Sequence, residues 1–159
     1  MNEERRLQRM ELFEVLTVGL PFCGFKILTG VSLAAAAPLQ TLGTALIVLG
    51  VFDGAINIVN LLGLIASGRR PIAACSLALA TRPWSRASGA RRKWTDLGNS
   101  LDVLLSFGLV SLMIGYGRLG SMPAGNLAVW NTCVILNVLG AGLGRFSDCL
   151  RDLRRDAAK

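Results

Sequence analysis

The sequence predicts an all-α polytopic membrane protein: four transmembrane helices in two hairpins, with a short interfacial helix between them. Two observations carry that reading. The first is the placement of the cations, because fifteen of the seventeen Lys and Arg fall in three clusters. One holds Arg5, Arg6 and Arg9, and a second runs from Arg69 and Arg70 through Arg82, Arg86, Arg91 and Arg92 to Lys93. The third holds Arg145, Arg151, Arg154, Arg155 and Lys159. The second observation is the apolar sequence between clusters. Asp53 is the one charged residue from Ile27 to Gly68, and Arg118 the one from Val103 to Gly144. A helix needs about 20 apolar residues to cross roughly 30 Å of hydrocarbon, so each stretch has room to go out and come back. The bias of Lys and Arg toward the inner face then puts all three clusters in the cytoplasm. The expected site is the inner (cytoplasmic) membrane, with both termini inside.

Composition agrees. A hydrophobic content of 52% with 17% charged residues is rich for a soluble chain. Leu and Ala dominate the apolar runs without the two-residue alternation of a spanning strand, which argues for helices over a barrel. The net charge of +7 flanks the apolar runs. That placement points to anionic lipid headgroups as the partner and away from nucleic acid.

The chain reads as a single membrane domain over 1–159. Its first membrane helix is expected at about 12–31, preceded by a charged, helix-compatible start. Pro21 predicts a kink there, because proline removes one backbone hydrogen bond. No small-x-small site precedes a polar region, so this helix is expected to be retained as an anchor. Pro38 marks an external turn. The second helix, about 39–67, is the most apolar.

A basic cytoplasmic loop follows at 68–95, holding an apolar decamer from Pro71 to Ala80. Ten residues make about 15 Å of helix, too short to span, so a surface or re-entrant position is expected. Arg69, Arg70, Arg82, Trp84, Arg91, Arg92, Lys93 and Trp94 are the expected headgroup contacts, the tryptophans as part of an interfacial belt. The third helix falls at about 97–116 and the fourth at about 124–145. The tail at 146–159 alternates acids and bases as a solvated helix end does. Phe13-Glu14-Val15-Leu16 is echoed by Leu101-Asp102-Val103-Leu104, each opening an outward helix. That echo reads as a 2+2 parallel repeat about an axis along the membrane normal.

Asp53 is the first candidate functional residue, since a carboxylate inside a span costs about 2.5–3.5 kcal/mol on insertion scales. Asn57 and Asn60 follow at i+4 and i+7, which makes a polar stripe on one helical face. The stripe serves either as a hydrogen-bonded seam between helices or as a path for protons or cations. Lys26 has two readings as well, pairing with Asp53 or snorkelling to the external headgroups, with the second preferred. Glu14 and Asp102 are placed near the cytoplasmic boundary, within reach of Arg69 or Arg145. Asn126, Asn131, Thr132 and Asn137 on the fourth helix are candidates to meet the Asp53 stripe. Gly50 with Gly54, and Gly140 with Gly144, are expected at helix contacts, because glycine lets backbones approach closely in lipid.

Catalytic chemistry finds no support. The chain has no His, which removes histidine-based triads and metal sites. It has no phosphate-cradling loop and no metal-spaced acids. Its four cysteines are scattered, with no C-x-x-C pair. Neither an enzyme nor a cofactor or metal is expected. The expected role is an accessory or structural subunit packing with other membrane subunits or with itself. The alternative is a small proton- or cation-coupled transporter or channel built on the Asp53 stripe.

Overall fold

The structure, a computed structural model, describes residues 3–72, 76, 101–102, 104–105 and 108–156. Side-chain detail covers these apart from 3–4, 6–7, 144–145 and 147–156. The described residues are helical with short turns and contain no strand. Helix α1 spans Glu3–Glu14 and passes through a π turn, Val15–Gly19, into α2 at Leu20–Ala34. A 3-10 turn at Ala37–Leu39 leads into α3, Gln40–Ser67, and helix α4 spans Ala124–Asp156. Three helical stretches are long and apolar enough to cross a membrane: Gln8–Ala34, Ala37–Ser67 and Ala124–Leu143. Helical residues at 101–102, 104–105 and 108–115 lie where the sequence places another span.

The first helix starts earlier than the apolar pattern suggests and runs without a break through Pro21. A π turn stands just before the proline. The Leu20 N–H reaches back to the Val15 carbonyl. The turn includes Thr17, four residues before Pro21, the carbonyl that a proline ring crowds in an ordinary helix.

Between α2 and α3 the backbones cross at glycine. A Cβ on Gly30 would stand 2.7 Å from the Gly43 carbonyl oxygen and 2.9 Å from the Ile47 nitrogen. One on Gly50 would meet Ile27 Cγ1 at 2.8 Å. These contacts replace the hydrophobic drive that lipid removes. Gly54 is looser, with Cys23 Cβ at 3.8 Å. Helix α4 packs on the π turn through Gly140, whose added Cβ would fall 2.6 Å from Thr17 Oγ1 and Val18 Cγ2. Gly144 lies on α4 outside the described side chains.

Two apolar clusters fill the bundle. Leu33 and Leu46 pack with Leu109 and Met113, and Phe25 packs with Trp130 and Cys133. Polar bonds tie the same elements. Trp130 Nε1 donates to Thr29 Oγ1 at 2.9 Å in a buried contact between α2 and α4. Arg118 Nη2 donates to the Ser32 carbonyl at 2.6 Å, so a guanidinium serves one of the orphan carbonyls at the end of α2.

After α3 the described part of the next segment follows the re-entrant of the two expected courses. Gly68 takes the left-handed conformation, φ 69°, and its N–H caps the Leu64 carbonyl at 3.1 Å. The chain then turns back along α3. Pro71 Cγ would lie 2.7 Å from a Cβ on Gly63. The Asn60 amide donates to the Ile72 carbonyl at 2.7 Å and accepts from the Ile72 N–H at 3.0 Å. The Ser76 N–H reaches Asp53 Oδ1 at 2.8 Å. From Gly68 to Asp53 is about 22 Å along a helix, so this segment is re-entrant in its described part. Irregular backbone is tolerated at such depth only when protein satisfies it, and Asn60 satisfies both backbone groups of Ile72. Arg82, Trp84, Arg91, Arg92, Lys93 and Trp94 lie outside the described residues.

Candidate functional site

Three ionisable side chains from three parts of the chain converge inside the bundle. Lys26 Nζ lies 2.7 Å from Asp53 Oδ2, 2.6 Å from Asp102 Oδ1 and 2.9 Å from Asp102 Oδ2. An ammonium has three protons, and here three carboxylate oxygens surround it. All three residues are buried, at 3%, 4% and 7% exposure for Lys26, Asp53 and Asp102. Phe22 completes the surround, its ring centroid 4.4 Å from Lys26 Nζ, near enough for a cation–π contribution.

The helix register explains the meeting. Asp53 lies about 20 Å from the Gln40 end of α3 and about 21 Å from the Ser67 end, in mid-span. Asp102 precedes the turn at 116–121 by about as many residues as separate Asp53 from Ser67. Lys26 is about 12 Å from the Ala34 end of α2, and its long stem carries the ammonium to both carboxylates. The expected snorkelling is therefore replaced by pairing. A snorkelled Lys26 would leave two carboxylates facing each other in a medium that does not solvate them.

Asp102 is the larger departure from the sequence reading. Its carboxylate is buried against Lys26 within the bundle, where the sequence reading placed it near the boundary within reach of Arg69 or Arg145. Counting residues back from the Gly117 turn, rather than forward from the basic loop, would have placed it at the depth of Asp53. Glu14, its sequence echo, is exposed and bound by Arg70 Nη2 at 2.8 Å. The two echoed acids thus occupy unlike surroundings. Arg70 also donates to the Glu11 carbonyl at 2.9 Å, so it clasps α1 to the turn after α3.

The polar stripe is dispersed over three tasks. Asp53 joins the triad and holds Ser76. Asn57 Nδ2 returns to its own helix, donating to the Asp53 carbonyl at 2.9 Å, and lies 3.5 Å from Cys23 Sγ. Asn60 holds Ile72. The asparagines of α4 do not reach the stripe among the described residues. Asn137 donates to the Cys133 carbonyl at 2.8 Å. Asn131 and Thr132 are exposed, and Thr132 donates to the Ala128 carbonyl at 2.9 Å. Sequence reasoning also missed Ser76, Arg118 and the Trp130–Thr29 bond. The signal for the last was available: an indole N–H in an apolar helix needs an acceptor when buried.

No family model matches the chain, and no match was found among curated proteins or solved structures.

Proposed function

We propose that this chain is a four-span protein of the cytoplasmic membrane, arranged as two hairpins with both termini inside. In this reading it is a structural or accessory subunit that packs within a homo- or hetero-oligomeric membrane assembly. The observation that carries the proposal is the closure of the triad. All three Lys26 protons face carboxylate oxygens, and the second oxygen of Asp53 accepts the Ser76 N–H. A charge held this way ties α2, α3, the re-entrant segment and the Asp102 segment at one point. It is a lock satisfied from within the protein.

The second reading, proton- or cation-coupled transport through Asp53, draws on the same geometry, because two carboxylates share one ammonium at mid-depth. One experiment separates the two. The protein is purified in mild detergent and run on a native gel with identification of companions, then reconstituted in vesicles holding a pH-sensitive dye under an imposed potential. The subunit reading expects a complex well above the 16.9 kDa chain and proton entry equal to that of empty vesicles. Proton entry above empty vesicles that disappears in Asp53→Asn, with the complex intact, would establish transport instead. A monomer without companions would overturn the subunit reading.

A further inference from the structure

At the end of the bundle where α1 passes the turn after α3, two segments far apart in the chain lie against each other. Gln8 Nε2 donates to the Leu64 carbonyl at 2.8 Å. The side-chain amide carbon of Gln8 would stand 3.6 Å from a Cβ on Gly68, so this side chain lies across the left-handed turn. Arg5 and Arg9 flank Gln8 at i−3 and i+1, and Arg69 follows Gly68. The contact therefore brings three cations to one corner of the molecule. All three are exposed.

Among the described residues none of these three arginines enters an ion pair. Glu11 and Glu14, the acids that follow on α1, are engaged by Arg70 at 3.6 and 2.8 Å. Like charges at i and i+4 destabilise a helix, and Arg69 adds a third cation to the pair formed by Arg5 and Arg9. An anion from outside the chain would offset that repulsion.

Depth says which anion. The first apolar stretch begins at Gln8 and the second ends at Ser67. Arg5 stands three residues before the first limit, about 4.5 Å along a helix, while Arg9 is one residue inside it and Arg69 two residues past the second. The layer at that depth holds headgroups, and its common anion is phosphate. A phosphodiester accepts the forked donors of guanidinium. A zwitterionic headgroup would bring its own ammonium among three cations, whereas an anionic one brings none.

We infer that Arg5, Arg9 and Arg69 form a binding site for the phosphate of an anionic phospholipid, assembled where Gln8 meets Leu64 and Gly68. Two of its cations come from α1 and one from the turn after α3, so the site exists only once these elements have packed. The inference rests on the chain spanning a membrane, as proposed above, and needs no companion subunit. A monomer on the native gel leaves it standing.

Native mass spectrometry of the full chain in mild detergent tests it, with bound lipids counted as short-chain phosphatidylglycerol or phosphatidylcholine is added. Wild type should hold phosphatidylglycerol more tightly, and the preference should vanish at about 1 M salt, where the Debye length falls to about 3 Å. Arg5→Gln, Arg9→Gln and Arg69→Gln should each weaken phosphatidylglycerol about fivefold, and the three together on the order of 100-fold. The single variants decide the matter if the triple variant fails to fold. Arg151→Gln, Arg154→Gln and Arg155→Gln together remove the same charge from the end of α4 and should leave the affinity unchanged. Equal losses in the two triple variants would mean that net charge and not a site holds the lipid, and would overturn the inference. Equal binding of the two lipids by wild type would do the same, as would displacement of phosphatidylglycerol by inorganic phosphate at equal concentration, the mark of a free-anion site.

Discussion

Lys26 and its two carboxylates show how unequal the partners in one buried ion cluster can be. Replacing Lys26 by Met keeps the volume of the stem and leaves Asp53 and Asp102 facing each other without the ammonium between them. Breaking a buried pair this way costs about 3–5 kcal/mol. Asp53→Asn is milder, because Lys26 keeps both oxygens of Asp102. Its cost is one mismatched contact, since the new NH2 must oppose either Lys26 or the Ser76 N–H, about 1–3 kcal/mol. Thermal unfolding in detergent should therefore rank wild type above Asp53→Asn, and Asp53→Asn above Lys26→Met. The reverse order would show that the ammonium does not hold the two acids together. Asp53 was visible in the sequence as the lone charge of its span. Lys26 was visible as a partner in one of its two readings, but Asp102 was not, because its depth depends on where its helix ends, and the basic loop gave the wrong end to count from.

At the scale of elements, the α2–α3 hairpin depends on glycine more than on leucine. Water provides no drive between helices in lipid, so close backbone approach has to supply the packing energy. Gly43 is the tightest position: a Cβ there would run into the backbone of Ala34 and Gly30, which cannot move aside as a side chain can. Gly43→Ala is expected to destabilise the hairpin by about 1–3 kcal/mol, the usual cost of overpacking. Gly54→Ala, with 3.8 Å to Cys23 Cβ, should leave the unfolding midpoint in detergent unchanged. Equal loss in both variants would mean that the hairpin does not cross where Gly30 and Gly43 meet. The G-x-x-x-G spacing pointed to Gly50 and Gly54 and passed over Gly30 and Gly43, since the crossing point of two helices depends on their mutual angle and not on either sequence alone. The re-entrant segment makes a related point. Its ten apolar residues announced that it would not span, while its depth follows from Asn60 offering an amide to Ile72.

For the whole molecule, the arrangement rests on the three basic clusters lying on one side. Reporter fusions after the N-terminal cluster, near Ser88 and at the C terminus should all read cytoplasmic, and one near Ser121 should read external. An external signal near Ser88 would break the two-hairpin arrangement. Arg70 clasps Glu11 and Glu14 at the end of the bundle where the first two clusters meet. Arg118 and the 3-10 turn lie at the other end, with Arg118 bound to the Ser32 carbonyl.

The sequence by itself determined the helical class with apolar stretches of membrane-spanning length, the turn at Pro38 and the standing of Asp53 as the lone charge of its helix. These follow from residue-by-residue transfer between water and hydrocarbon, which is additive along the chain and indifferent to what each helix touches. Only the tertiary structure decided that Lys26 turns inward, that Asp102 joins it, that Asn57 and Asn60 serve different neighbours, and that the chain after Gly68 returns into the bundle. Each of these depends on which groups face one another at a given depth. In a medium that solvates no polar atom, every buried charge and every irregular backbone group must find its partner in the protein. That pairing is a property of the assembled helices.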